Sequence, residues 1–224
     1  MKNEDFIMTN TIIEYDEALI LGGTNTATLF AENYKTSLYD VDSIVRDYSL
    51  IVFTGGPDVD PASYGENPHP ETHCSTERDL LEREIYKEAF RNNIPMVGIC
   101  RGAQFLCVMN GDKLVQHVTG HSYGYHDIIT KTGDTIKVLG DHHQMMLPEK
   151  GEIVAFSHGL SDRYRNGDDK EISMPLVWPG GAKEPEAVWY ANSRCLCIQW
   201  HPEWDIENEK GLRYFQSLLE EHVL

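Results

Sequence analysis

Three runs of consecutive apolar residues divide the first half of the chain. Ala18-Leu19-Ile20-Leu21 is closed by Gly22-Gly23. Tyr48 to Phe53 is closed by Thr54-Gly55-Gly56-Pro57, and the third run is Ile94 to Ile99. Continuous apolar runs of this length predict strands of a parallel sheet buried on both faces. Between the second and third, Leu80, Leu81, Ile85, Ala89 and Phe90 recur at helical spacing, which predicts a helix from Thr76 to Asn92. Thr76 and Asp79 have the spacing of a capping pair at its start. Strand, helix, strand in that order is a βαβ unit. A further helix is predicted from Gly102 to about Met109, stopped by Asn110-Gly111.

The second half is patterned differently. Asp127 to Thr130 and Thr135 to Leu139 flank the turn Thr132-Gly133-Asp134 and predict a hairpin. Glu152 to Phe156, Glu186 to Tyr190 and Leu196 to Trp200 read as further strands. An amphipathic helix from Glu207 to Val223, with Leu212, Phe215, Leu218 and Leu219 inward, closes the chain. The sum predicts an α/β protein: a mostly parallel central sheet, helices on both faces and an antiparallel flank.

Composition narrows the class. The chain has 224 residues, 41% of them hydrophobic, enough for a sizeable core. With no repeat, charge block or low-complexity linker, residues 1–224 read as one domain, residues 1–17 being an acidic N-terminal extension. The net charge of −17 argues against nucleic acid or an anionic membrane as partner. No apolar run approaches the length of a membrane span, and the polar start has no apolar signal core, so a cytoplasmic location is expected. Five cysteines, an odd number, do not form a disulfide framework. Cys195 and Cys197 alternate within a predicted strand and read as small buried hydrophobes. They lack a second C-x-C or C-x-x-C to complete a zinc site.

The chemistry centres on Cys100. The apolar strand ending at Ile99 hands over to a helix through Gly98-Ile99-Cys100-Arg101-Gly102, the layout of a nucleophile elbow. A helix start lowers a thiol pKa and favours the thiolate that attacks a carbonyl. After the last predicted strand come His201-Pro202-Glu203. Pro202 holds His201 extended, so Glu203 falls on the same side and can orient the imidazole. An oxyanion needs two donors. The backbone N–H of Arg101 follows the nucleophile, and the glycine-rich loop around Gly56 supplies the second. The Arg101 guanidinium is suited to hold an anionic substrate group through two parallel hydrogen bonds. His117, His121, His126, His142 and His143 invite a metal, but Gly120 weakens a helix that would pair His117 with His121, and no closed ligand motif is present. No metal is expected.

Several segments together resemble the class I glutamine amidotransferase superfamily, and within it the gamma-glutamyl-gamma-aminobutyrate hydrolase branch, peptidase C26. They are Gly55-Gly56-Pro57-Asp58-Val59-Asp60-Pro61, Tyr64-Gly65-Glu66, Arg78-Asp79, Gly98 to Gln104, His142-His143-Gln144 and Gln199 to Glu203. The resemblance runs from about Ala18 to the C-terminus. It implies a flavodoxin-like three-layer sandwich and a Cys100–His201–Glu203 triad acting on a γ-glutamyl amide through a thioester, with no cofactor. It also implies that Gln104 holds the glutamyl moiety and that His143 and Gln144 line the pocket. The partner is then a small γ-glutamyl molecule, or a synthetase if the chain is an ammonia donor; a catalytically silent binding protein is the remaining class, and a homodimer is left open. The chain departs from the family pattern at Asn110-Gly111-Asp112 and at Glu184-Pro185-Glu186-Ala187. Ser157 to Lys183 carries no recognisable motif.

Overall fold

The computed structural model describes residues 16–179 and 181–224. The acidic extension expected over residues 1–17 therefore lies almost entirely outside the described residues. Nine strands form the path of the central sheet: β1 Glu17–Leu21, β2 Lys35–Leu38, β3 Leu50–Phe53, β4 Met96–Ile99, β5 Gly124–Thr130, β6 Thr135–Gly140, β7 Glu152–His158, β8 Gly181–Tyr190 and β9 Cys195–Ile198. Their spatial order is β2-β1-β3-β4-β9-β8-β7-β5-β6, and the short strand Val177–Trp178 pairs with β8. The pairs from β2 to β9 are parallel. Those from β9 to β6 are antiparallel. Order 2-1-3-4 followed by one more parallel strand is the flavodoxin-like arrangement. The antiparallel flank is nearly as wide as the parallel half.

Among the described residues, four α-helices cover this sheet: α1 Thr24–Phe30, α2 Thr76–Arg91, α3 Arg101–Met109 and α4 Glu209–His222. Strand alternation sends β1, β3 and β4 side chains to two cores. Leu19, Ile51, Phe53 and Met96 meet Ile85, Tyr86, Phe105 and Leu106 of α2 and α3. Ala18, Ile20, Leu50, Val52 and Val97 meet Phe30 of α1 and Phe215, Leu218 and Leu219 of α4. The result is three layers, helix–sheet–helix, as expected. Leu212 of α4 is only half-buried, and Gly211 takes the inward place instead.

The βαβ unit is present, but α2 is rotated from its expected face. Leu80 and Phe90 are 60% and 51% exposed, while Asp79 and Glu82 are buried beside Ile85, Tyr86 and Ala89. The cap is also displaced by one residue: Ser75 accepts from the Arg78 N–H, and Asp79 is used elsewhere. Helix α1 and strand β2 were not predicted. β2 is an edge strand with no fully buried residue, so it lacks the apolar run that marks its neighbours. Residues 157–183 add small antiparallel pieces, Tyr164–Asn166 pairing with Lys170–Glu171 and with His117–Val118.

Candidate active site

The carboxyl ends of β1, β3, β4 and β9 converge on one cleft of about 580 Å3. This is where an open α/β sheet binds its ligands, because the loops after parallel strands gather there. The cleft is lined by Gly23 to Thr26 after β1, Thr54 to Gly56 after β3, Cys100 after β4, and His201, Glu203 and Trp204 after β9; Asp141 follows β6.

Cys100 occupies φ 52°, ψ −110°, a conformation costly for a non-glycine residue. Strand β4 and helix α3 over-determine it. At Gly98, a Cβ would stand 2.5 Å from the Gly102 carbonyl carbon, so strand and helix can approach this closely only without a side chain there. The turn sets the buried Cys100 thiol at the cleft wall, 3.8 Å from the Asp141 carbonyl oxygen that it can donate to. Cys107, Cys195 and Cys197 are buried hydrophobes, as their pattern suggested for the last two. Burial pushes the Cys107 and Cys195 thiols up to about 12 and about 11, far from reactivity.

His201 and Glu203 meet as expected: His201 Nδ1 lies 2.8 Å from Glu203 Oε1. Trp204 stacks flat on the imidazole, ring centroids 3.7 Å apart and planes 2° apart. Burial works against the imidazolium, but hydrogen bonds with Cys100 and Glu203 outweigh it and raise the His201 pKa to about 10. At neutral pH the ring therefore holds its proton.

The Gly55-Gly56 loop borders this pair. A Cβ on Gly55 would come 3.3 Å from His201 Cε1 and 3.8 Å from Cys100 Cβ. Arg78 fixes the loop from behind, donating to the Gly55 and Thr54 carbonyls at 2.9 Å each. Because a trans peptide sets C=O and the next N–H in opposite directions, the Gly56 N–H is turned away from Arg78. Gly56 has φ 144°, a value that suits glycine, and any Cβ there would collide with the guanidinium.

The expected substrate contacts are not found in the cleft. The Arg101 side chain is buried and paired with Asp79 and Glu82 of α2. It also donates to the Pro57 carbonyl at 3.0 Å. It is an internal strut, not a carboxylate clamp. Gln104 is buried and donates to the Gln144 carbonyl at 3.0 Å. His143 turns to Asp58 at 3.1 Å, and the Gln144 side chain donates to Thr72 at 3.3 Å. None of these three lines the cleft. Asp141, Trp204, Arg78 and Glu82 were missed. Trp204 directly follows the H-P-E motif and Arg78 belongs to the Arg78-Asp79 pair, so both were within reach of the sequence; Asp141 carried no signal.

A sheet of this order with a cysteine elbow at the end of its fourth strand defines an α/β protein of the glutamine amidotransferase fold. A solved glutamine amidotransferase from Thermotoga maritima superposes with TM-score 0.58 over 92% of this chain and 85% of its own, at 16% identity. The chain belongs to the peptidase C26 family, whose model matches residues 9–162. Two relatives share the name "Putative glutamine amidotransferase". That of Schizosaccharomyces pombe is 38% identical over 94% of this chain and 82% of its own length. That of Mycobacterium tuberculosis is 29% identical over 80% of this chain, but only 58% of its own length is spanned. The gamma-glutamyl-gamma-aminobutyrate hydrolase PuuD of Escherichia coli (strain K12) is 28% identical over 69% of this chain and 64% of its own. Family membership implies a hydrolase-type enzyme.

Proposed function

We propose that this protein is a cysteine hydrolase of γ-glutamyl amides, with Cys100, His201 and Glu203 as its triad. The observation that carries the reading is Cys100, held at positive φ in a cleft beside an imidazole whose far nitrogen is bonded to Glu203. The Cys100 thiolate adds to the amide carbonyl carbon, and the carbonyl oxygen becomes an oxyanion. The N–H groups of Gly56 and Arg101 are the donors assigned to it. His201 gives its proton to the departing nitrogen, the C–N bond breaks, and a thioester and a free amine result. Water, losing a proton to His201, then adds to the thioester and releases glutamate and the thiolate.

Asp141 replaces the expected side chains as a reader of substrate. Of the two carboxylates lining the cleft, Glu203 is committed to His201. The Asp141 carboxylate is then assigned to the α-ammonium of the glutamyl group. The whole chain is read as one domain. Its five unpaired thiols suit a reducing compartment, which supports a cytoplasmic location. No helix of the described residues is long and apolar enough to cross a membrane.

A second reading is a glutaminase that passes ammonia to a synthetase partner. What favours it is an exposed aromatic and aliphatic rim by the cleft. Trp204 and Ile206 are exposed, and Tyr125 is tied to the same segment by its hydrogen bond to Asp205 at 2.7 Å. One experiment separates the readings. Pure protein is incubated with glutamine and a panel of γ-glutamyl amines, and released glutamate and amine are measured. Turnover of free γ-glutamyl amines supports the hydrolase. Inertness on them, with glutamine hydrolysis appearing only on addition of a partner, supports the donor. No glutamate from any substrate, with or without a partner, removes both.

A further inference from the structure

Beneath the cleft, three histidines and two glutamates from distant parts of the chain face one another in a closed space. His121 and His126 flank the start of β5, His142 follows β6, and Glu184 and Glu186 stand on β8. All five are buried, and the hydrolysis proposed above uses none of them. Glu186 Oε1 lies 2.9 Å from His126 Nε2, 3.2 Å from His121 Nδ1 and 3.9 Å from His142 Nε2. The ligand atoms of His121, His126 and Glu186 all fall within 4.8 Å of one another. Metal–nitrogen and metal–oxygen bonds of about 2.0–2.2 Å put the ligands of a tetrahedral zinc ion roughly 3.3 Å apart, and the Glu186–histidine separations of 2.9, 3.2 and 3.9 Å bracket that value.

The polar atoms of this space are under-used. Neither His121 nitrogen makes a directed hydrogen bond, and His142 Nε2 and Glu186 Oε2 have no hydrogen-bond partner. Buried polar atoms without partners are costly. The outer contacts already have the form that supports metal ligands. His142 Nδ1 bonds the Gln144 carbonyl at 2.8 Å, which makes Nδ1 the donor and leaves the Nε2 lone pair facing Glu186. The second His121 nitrogen is backed by the Glu184 carboxylate at 3.3 Å. Glu184 is itself fixed by the Leu160 and Ser161 N–H groups, each at 2.9 Å, and by the Tyr164 hydroxyl at 2.5 Å. Carboxylate or carbonyl behind imidazole is the usual outer layer of a metal-bound histidine.

We propose that His121, His126, His142 and Glu186 bind one divalent transition-metal ion of the zinc class, with Glu184 orienting His121. Imidazole with a single carboxylate suits zinc and its neighbours better than magnesium or calcium, which prefer oxygen. The site is structural. It ties β8 to the segment carrying Asp141, and the Glu186 carbonyl accepts from the Gln199 N–H two residues before His201.

The test uses the full chain, stripped with a chelator, dialysed and titrated with Co2+ and Zn2+. One equivalent of Co2+ should bind with the visible bands of four-coordinate cobalt and no sulfur-to-cobalt charge transfer. X-ray absorption of the zinc form should show nitrogen and oxygen ligands only, and uptake should raise Tm. His126→Gln and Glu186→Gln should abolish stoichiometric uptake. Glu184→Gln should weaken it about 10–100-fold. Cys100→Ala and His117→Gln should bind as wild type. The proposal is overturned if folded wild-type protein takes up no stoichiometric metal, if sulfur appears among the ligands, if Cys100→Ala loses the ion, or if His126→Gln keeps it. Should His126→Gln and Glu186→Gln fail to fold, the wild-type spectra and the Cys100→Ala comparison decide alone.

Discussion

Arg78 donates from Nη1 to the Gly55 carbonyl at 2.9 Å and reaches nothing in the cleft itself. Its Nε bonds Glu82 at 2.7 Å, and Glu82 in turn pairs with Arg101, which holds the Pro57 carbonyl. Asp79 completes the lattice by accepting from the Asp60 N–H at 2.8 Å. Buried Asp79, Glu82 and Arg101, with half-buried Arg78, thus grip the loop from Thr54 to Asp60. Arg78 is a positioning residue for the Gly56 N–H. Arg78→Met should lower kcat about 10–100-fold with little change in KM, since loss of one oxyanion donor costs about 10²–10³ and here the donor is loosened, not deleted. Arg78→Lys should recover part of it. A pure KM effect would place Arg78 in substrate binding instead.

Arg101→Met should act on stability, not on substrate choice. It leaves buried Asp79 without its ion-pair partner and Glu82 with Arg78 alone, a change expected to cost about 3–5 kcal/mol. Denaturant unfolding should record that loss, and adding Asp79→Asn and Glu82→Gln should restore much of it. Relative kcat/KM on carboxylated and neutral γ-glutamyl amines should not move. A selective loss on the carboxylated substrate would return the guanidinium to the cleft.

Cys100→Ala should abolish turnover with the fold intact by circular dichroism. A glutamine-like electrophile should label Cys100 and spare Cys107, Cys195 and Cys197, whose thiols are buried and held protonated. Mass spectrometry of the labelled peptides reads the outcome directly; residual turnover in the variant would remove Cys100 as nucleophile.

Glu203→Gln should lower kcat more than it raises KM, because the bond to His201 strengthens as the ring becomes cationic. It should also draw the alkaline limb of the rate profile to lower pH. The native His201 pKa, raised to about 10, lies above its ordinary 6.5. The raised value stabilises the fold fully below pH 6.5, and that contribution is lost as pH rises toward 10. Thermal melts across this window should fall in the wild type and fall less in Glu203→Gln. Identical slopes would show that Glu203 does not support the charged ring.

Asp141→Asn tests the reading of the α-ammonium. Loss of a charge-assisted contact of about 1.5–3 kcal/mol corresponds to roughly a 10–100-fold rise in KM for γ-glutamyl substrates. A substrate lacking the α-amino group should show little difference between the two proteins. Equal effects on both would assign Asp141 to the Cys100 wall alone.

The sequence by itself determined the parallel half of the sheet and the local placement of its candidate site. β1, β3 and β4 were legible because strands buried on both faces must be continuously apolar. Cys100 and the His201–Glu203 pair were legible because each depends on neighbours one to three residues away: the glycines that let strand meet helix, and the proline that extends the chain. What only the tertiary structure decided was set by partners far apart in the chain. Helix α2 turns Leu80 and Phe90 outward because Asp79 and Glu82 are drawn inward to Arg101 across about twenty residues of chain. That burial also takes Arg101 away from substrate, and a desolvated charge carries no mark in its local sequence. His143 and Gln144 leave the cleft for Asp58 and Thr72, 85 and 72 residues away. His121, His126, His142 and Glu186 meet only because β5, β6 and β8 are brought together by the antiparallel flank. Spacing along a chain reports contacts that a single turn or strand can make; contacts between strands are fixed by the packing of the whole sheet.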